Sequence, residues 1–372
     1  MIKPFEYKRD IKKIRKKLSN SFNRVLNSGS LVLGPEVEKF EKNFSKFIGT
    51  KYGVGVGNCT DAIYISLKAL NIGLGDEVIT VANTAIPTIT AIINSGAKPK
   101  FADIGEDLLI NYKNLDKLIT KKTKAIIPVH LYGQTCNMKE ILKFAKKHNI
   151  KVIEDCAQST GSKINKKTSG CFGDVGCFSF YPTKVLGAFG DGGFITTNSK
   201  NLFQKIRNLR YMGIETNKKN GKKYSELYYA YEQGTNSRLD EIQAAMLSIK
   251  LSKIKQSIKT RQNNAKIYFQ NLNDSNLILP NLKKDKFDVF YELVARHKKR
   301  DKILYHLKKN GIKLKITYPY PIYKMKPYKK YGSKKILKNT EKFSKEIFSL
   351  PVYPGITKQE ILKICNKIKN II

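Results

Sequence analysis

Phe178-Ser179-Phe180-Tyr181-Pro182-Thr183-Lys184, leading into Gly187-Ala188-Phe189-Gly190-Asp191-Gly192-Gly193, is the stretch on which the reading of this chain turns. A short apolar run, a proline turn and a glycine-rich segment place one lysine where backbone approaches a ligand closely. A lysine alone says little in a chain with 70 Lys and Arg residues. Lys184 stands out because an acid lies upstream at another apparent strand end, in Val152-Ile153-Glu154-Asp155-Cys156-Ala157-Gln158. An amine that condenses with an aldehyde, plus an acid for a pyridinium nitrogen, is the smallest set of groups that pyridoxal phosphate chemistry requires.

Around that stretch, apolar periodicity switches repeatedly between helix and strand. Pro35 to Phe44 carries Val37, Phe40 and Phe44 on one helical face. Tyr52–Val56 reads as a strand, Gly57-Asn58-Cys59 as a turn, and Thr60 opens a helix through Leu70. Strands are expected at Glu77–Val81, Lys98–Phe101, Lys124–Pro128 and Lys151–Glu154, with helices at Pro87–Ser95 and Met138–His148. Hairpin-like apolar segments follow at Cys177–Tyr181 and Gly193–Thr197. This α/β alternation predicts a mostly parallel sheet with helices on both faces.

The texture changes after about Gln243. Helices are expected at Ala244–Ser257, Arg261–Leu272, Asp301–Lys309 and Lys358–Ile371, with a strand at Tyr291–Ala295 and a Pro/Tyr-rich loop at Tyr318–Tyr328. At 372 residues the chain is long for one core. Two domains are expected, a large one over 1–245 and a smaller α+β one over 246–372, with the N-terminal segment packing on the smaller.

A hydrophobic content of 41% argues for a folded globule. The start, Met1-Ile2-Lys3-Pro4-Phe5-Glu6, lacks the apolar core of a secretion signal, and no run is long enough to span a bilayer. The six cysteines show no paired CxxC spacing, and with four histidines they offer no metal-ligand pattern. A reduced, cytoplasmic setting without membrane insertion is expected. The formal charge of +40 invites a nucleic-acid reading. The lysines fall in short, dispersed runs such as Lys121-Lys122 and Lys146-Lys147, which read as solvated surface rather than a polyanion-binding stripe.

Single features leave alternatives open. Gly57-Asn58-Cys59-Thr60-Asp61 sits at a strand-to-helix junction, which is either an anion site or an ordinary helix cap. Asp155 is a ligand acid or a loop residue. Gln158 meets a phenolic oxygen or a backbone group. Ser179 donates to a phosphate or merely fits a strand.

The ordered set is more specific than its members. The chain resembles the DegT/DnrJ/StrS family of pyridoxal-phosphate aminotransferases acting on nucleotide-linked ketosugars. The likeness runs nearly the whole length, through Gly34-Pro35-Glu36-Val37-Glu38-Lys39-Phe40-Glu41, Gly57-Asn58-Cys59-Thr60-Asp61-Ala62, Pro128-Val129-His130-Leu131-Tyr132-Gly133, Glu154 to Gln158, Ser179 to Lys184, and Asn236-Ser237-Arg238-Leu239-Asp240-Glu241-Ile242-Gln243-Ala244-Ala245. It implies an aspartate-aminotransferase-like fold (fold type I) with a mostly parallel seven-stranded sheet.

The resemblance also implies roles. Lys184 would hold pyridoxal 5'-phosphate, which alternates with pyridoxamine 5'-phosphate. Asp155 would pair with the ring nitrogen, and Gln158 would lie near the phenolic oxygen. Backbone groups at Cys59 and Thr60, the Ser179 hydroxyl, and Asn236 from a second subunit of a homodimer would hold the phosphate. L-Glutamate would be the amino donor. Members aminating C3 of dTDP-3-keto-6-deoxyhexoses look most similar, which points to a 3-amino-3,6-dideoxy sugar for surface polysaccharide. A C4 aminotransferase on a UDP- or dTDP-4-keto sugar is the alternative. Tyr181, Tyr318 and Tyr323 are sugar-contact candidates, set against plain packing, and Arg238 is a candidate for the donor's carboxylates.

Two departures stand out. Many relatives carry a ring-stacking aromatic where Ala85 stands in Asn83-Thr84-Ala85-Ile86-Pro87. Relatives often have histidines around a Tyr-Pro-x-Pro loop, and Thr317-Tyr318-Pro319-Tyr320-Pro321-Ile322-Tyr323 has none. Three rivals remain: a sugar dehydratase of the same scaffold, which has histidine in place of Lys184; a regulatory protein that binds cofactor without turnover; and a polyanion binder.

Overall fold

The computed structural model describes residues 1–215, 228–273, 275–332 and 336–372. In chain order the helices are α1 (Tyr7–Ile11), α2 (Arg15–Ser28), α3 (Pro35–Ile48), α4 (Cys59–Ala69), α5 (Ile86–Asn94), α6 (Met138–Lys147), α7 (Lys200–Leu209), α8 (Glu241–Leu251), α9 (Ile254–Leu272), α10 (Arg300–Lys309), α11 (Lys338–Glu346) and α12 (Lys358–Lys369). The strands are β1 (Tyr52–Val56), β2 (Glu77–Val81), β3 (Lys98–Ala102), β4 (Thr123–Ile126), β5 (Lys151–Asp155), β6 (Lys163–Ile164), β7 (Lys167–Thr168), β8 (Val175–Ser179), β9 (Gly193–Thr197), β10 (Lys286–Phe287), β11 (Leu293–Arg296) and β12 (Ile347–Leu350).

Seven strands form the main sheet in the order β1-β9-β8-β5-β4-β2-β3. β9 runs antiparallel to both its neighbours, while the ladders from β8 through β5, β4 and β2 to β3 are all parallel. Strand side chains alternate between faces, as the pleat demands. Val78, Ala125, Ile153, Cys177 and Ile195 pack with α4, α5 and α7. Ile79, Ile126 and Val152 face α6 on the other side, and Phe178 and Phe194 meet α3 and α8. Burial on both faces explains why these strands read as apolar runs in the sequence.

β11 and β12 form a separate antiparallel pair, covered by α9, α10 and α12. Ile2 is buried in this second core and Phe5 packs against it.

Strand positions follow the sequence pattern closely, whereas helix breaks do not. β4 begins one residue earlier than expected, and its ladder ends at Ile126, ahead of Pro128, which has no N–H to donate. The expected helix Ala244–Ser257 is divided differently, with α8 starting at Glu241 and ending at Leu251 and α9 beginning at Ile254. No proline or glycine marks Ser252 and Lys253. The chain breaks there because α8 packs on α2 and α3, whereas α9 lies along α12. The expected strand from Tyr291 is shorter and begins at Leu293. The Tyr318–Tyr328 loop contains short 3-10 turns at Ile322–Lys324 and Lys326–Tyr331.

Two of the quoted segments meet through one side chain. The Glu241 carboxylate, in the first turn of α8, accepts from the backbone N–H groups of Gly34, Glu36 and Val37, each at 2.9 Å. It thereby satisfies donors at the start of α3 that have no partner within that helix.

Candidate active site

The site forms at the carboxyl ends of the parallel strands, where open α/β sheets bind ligands. Asp155 ends β5 on the face that carries α4 and α5. The Thr88 hydroxyl, in the first turn of α5, donates to its Oδ2 (2.8 Å), and the Ala157 N–H donates to Oδ1 (3.1 Å). Burial pushes the Asp155 carboxyl above its ordinary pKa, only partly offset by those two donors and the nearby charges of Lys184 and His130. An acid so placed has bonding capacity left and a reason to want a cation.

Lys184 lies in the turn after β8. Its N–H donates to the Tyr181 carbonyl (2.9 Å), and the Ala188 N–H returns to the Phe180 carbonyl (2.7 Å), so the turn is closed by backbone bonds. The Lys184 ammonium is close enough to act on both Asp155 and the Cys59 thiol. Burial pushes that thiol far up, so the Cys59 sulfur keeps its proton.

Cys59 and Thr60 are the first two residues of α4. Asn58 caps that helix, its Oδ1 accepting from Asp61 N–H (2.9 Å). The Ser237 hydroxyl accepts from Gly57 N–H (2.9 Å) and donates to Asp61 (2.6 Å), pinning the turn from a distant segment. A Cβ on Gly193 would stand 2.4 Å from the Asn58 carbonyl, so only glycine lets β9 run this close beneath the helix start. With the cap bonded to the third residue, the leading N–H groups of α4 form an anion-binding end. Ser179, at the end of β8, accepts from Tyr181 N–H (3.3 Å) and keeps its own proton to donate.

Gln158 is oriented from two sides. Its Oε1 accepts from Tyr132 N–H (2.8 Å) and its Nε2 donates to the Tyr318 hydroxyl (2.8 Å). The amide therefore presents a donor, not an acceptor, to whatever lies beside Tyr318. Burial holds the Tyr318 phenol far above its ordinary pKa, with Tyr291, Glu292, Tyr132 and Asp155 nearby adding to the effect.

The remaining candidates are scattered more widely. Tyr181 is 53% exposed. Asn236 is exposed too, beside the buried Ser237. The Tyr323 hydroxyl donates to Glu341 (2.9 Å) and its ring packs 5.8 Å from that of Phe101. The Arg238 guanidinium lies over the Tyr211 ring at 5.7 Å. Ala85 precedes α5 and brings no ring to the site, its neighbours Thr84 and Thr88 bonding each other (3.0 Å).

A second buried group sits on the opposite face of β5. Glu154 accepts from Gly170, Phe172 and Gly173 N–H (2.7 to 2.8 Å) and meets His130 Nε2 at 2.9 Å, while His130 Nδ1 accepts from Cys136 N–H (3.1 Å). These two side chains and Cys156 are close enough together to hold a metal ion, yet both Glu154 oxygens and both His130 nitrogens are already engaged in hydrogen bonds. This is a hydrogen-bonded brace behind Asp155.

The donor set fits a phosphorylated pyridine aldehyde: an amine, a buried acid, an amide donor and a helix start lie near one another at the carboxyl ends of β5 and β8. The model of the DegT/DnrJ/EryC1/StrS aminotransferase family matches residues 12–369. The chain belongs to this family. It is a pyridoxal-phosphate-dependent aminotransferase with the expected fold. It is 40% identical to the dTDP-3-amino-3,4,6-trideoxy-alpha-D-glucose transaminase of Micromonospora megalomicea subsp. nigra, covering 94% of this chain and 92% of that protein. The dTDP-3-amino-3,6-dideoxy-alpha-D-galactopyranose transaminase of Aneurinibacillus thermoaerophilus is 41% identical, over 94% of each chain. The structure resembles that of S. venezuelae DesV in complex with a ketimine intermediate, with a TM-score of 0.92 at 33% identity, over 98% of this chain and 96% of that one.

Sequence reasoning passed over four residues that shape this aminotransferase's site. Thr88, Tyr132, Ser237 and Tyr291 each act through a partner far away in the chain, and none carries a local signal. Ser237 was the nearest to being found, since it follows Asn236 within a quoted motif.

Proposed function

We propose that this enzyme moves an amino group from L-glutamate to the ketone of a nucleotide-linked sugar. The favoured substrate is a dTDP-3-keto-6-deoxyhexose, giving a dTDP-3-amino-3,6-dideoxyhexose for surface polysaccharide. The observation that carries the reading is that Lys184, Asp155 and the α4 start lie near one another at the carboxyl end of the sheet, in a chain about 40% identical to two dTDP-3-amino-sugar transaminases.

When bound, the cofactor supplies an electron sink that lets an amino group exchange for a ketone. Lys184 would hold it and, as a free amine, would take the proton from the donor's α-carbon and deliver it to the cofactor's aldehyde carbon. A lysine suits both tasks, its long, flexible stem letting one amine reach both carbons. Asp155 keeps a proton on the ring nitrogen, since an adjacent carboxylate favours the cationic form. Gln158 offers its Nε2 to the phenolic oxygen. The N–H groups of Cys59 and Thr60, the Ser179 hydroxyl and Asn236 of a second copy hold the phosphate. The exposure of Asn236, together with exposed Leu31, Val32, Ile86 and Tyr181, supports a homodimer that completes each site from its partner. In this reading residues 1–245 hold the cofactor, and 246–372 form the smaller part that carries Tyr291 and Tyr318 against it.

Borohydride reduction with pyridoxal phosphate bound, followed by peptide mass analysis, is expected to label Lys184. Incubation with L-glutamate and a panel of 3-keto and 4-keto dTDP- and UDP-sugars then identifies the aminated carbon. Labelling of another lysine, or no amination of any ketosugar, would sink the reading.

A further inference from the structure

Tyr291, just ahead of β11, stands against the turn that carries Lys184, although 107 residues separate the two in sequence. The Lys184 Nζ lies 4.7 Å from the centre of the Tyr291 ring. The hydroxyls of Tyr291 and Thr183, the residue before the lysine, are 3.2 Å apart. Two adjacent contacts thus lock one aromatic ring to one turn, through its face and its rim. The main chain that bears the ring is held as well, the Tyr291 backbone carbonyl accepting from Arg261 Nη1 (3.4 Å). A second ammonium, that of Lys315, lies 5.4 Å from the same ring centre and is ion-paired to Glu292, the next residue in the chain. Thr183, Tyr291, Glu292 and Lys315 line a small cavity of about 20 Å³ on this side of the turn.

We propose that Tyr291 is a positioning residue for Lys184. Its ring face holds the lysine amine in place whenever that amine is not bonded to the cofactor, so that the amine takes and delivers the proton from one place. The inference rests on the role of Lys184 given above. A lysine stem has four carbons and many rotamers, and a base allowed to wander loses the advantage of proximity. An aromatic face within about 6 Å attracts an ammonium without forming a directed bond, and so restrains the amine without competing for its lone pair once deprotonated. The hydroxyl contact to Thr183 sets the ring's angle, and the ion pair with Glu292 engages the second ammonium, that of Lys315.

The test begins on cofactor-free protein whose lysines are reductively methylated with a carbon-13 label. The Lys184 signal is identified by its loss in Lys184→Ala. It is expected at higher field than the bulk of the lysines because of the ring current, to stay there in Tyr291→Phe, and to return to the bulk position in Tyr291→Leu. In the holoenzyme, Tyr291→Leu is expected to lower kcat roughly tenfold while KM for glutamate changes less than about twofold, and Tyr291→Phe to recover most of the loss. A Lys184 signal at the bulk position in the wild-type protein overturns the proposal, as does undiminished kcat in Tyr291→Leu. Should the leucine variant fail to fold, the wild-type and phenylalanine signals still decide. Borohydride labelling runs in parallel: a labelled Lys184 with no ring-current shift defeats this proposal alone, whereas an unlabelled Lys184 defeats the functional reading beneath it.

Discussion

Glu154 and Asp155 are neighbours on one strand, both buried, and they face opposite sides of the sheet. Glu154 meets four donors, three backbone N–H groups and a histidine nitrogen. Asp155 accepts from two, and burial holds its pKa above the ordinary range. A buried carboxylate fully supplied with donors is part of the scaffold, because its desolvation is offset at home. One left short of partners carries an unmet demand for positive charge, and such strained electrostatics gather where chemistry is done. The pair shows how one residue of register separates support from function.

The sharpest way to break this comparison is Asp155→Asn, which keeps shape and removes charge. Turnover should fall about 10³-fold, roughly 4 kcal/mol of barrier, with urea stability at pH 8 not reduced. Activity close to wild type would make Asp155 another piece of scaffold. Glu154→Gln is the mirror experiment. It turns an accepting oxygen into a donor facing N–H groups and leaves His130 poorly paired, so stability should drop by about 3 kcal/mol in denaturant titrations. Specific activity of the folded fraction is expected to hold.

Asp288 supplies an intermediate case. It is buried, no partner is found for its Oδ1 among the described residues, and burial, with Asp107 and Asp285 nearby, pushes its pKa up to about 6 despite Lys286. Since the folded pKa is the higher one, the unfolded chain loses its proton first as pH rises. Stability is therefore whole below about pH 4, declines between there and about pH 6, and stays reduced above. Asp288→Asn should stabilise the protein by about 2 kcal/mol at pH 8 and by almost nothing at pH 4. An equal gain at both values would show that packing, not ionisation, sets its cost. The smallest effect is expected from Thr88→Val, which removes one of the two donors to Asp155. A loss of about 1 kcal/mol, seen as a roughly fivefold lower kcat/KM, is expected. No change would mean that water replaces the hydroxyl.

The strands were largely legible because Val152–Asp155, Ala125–Ile127 and Cys177–Phe178 serve two opposite cores, so that each stands out in the letters as a short apolar run. β12 was not, since Ile347-Phe348-Ser349-Leu350 follows straight on from α11 and becomes a strand only by pairing with β11. The break between α8 and α9 was hidden for a similar reason, its cause being a change of packing partner. At the site, Lys184 and Asp155 stood out because each sits at a strand end that marks itself locally, whereas Cys59 and Ser179 stayed open between cap or strand residue and phosphate contact until the resemblance assigned them. Tyr318 was read as a sugar contact or a packing residue. Its bond to Gln158 emerges only where the loop folds over that amide.

Chemical identity was thus written along the chain: an amine after one strand, an acid closing another, glycines where backbones crowd, and an apolar rhythm that makes a two-sided sheet. Only the tertiary structure decided which carboxylate is braced and which is left wanting, which threonine supports the acid, and which tyrosine meets the lysine. Composition and spacing act over a few residues, whereas desolvation, ring faces and shared hydrogen bonds depend on segments a hundred residues apart arriving within a few ångströms of one another.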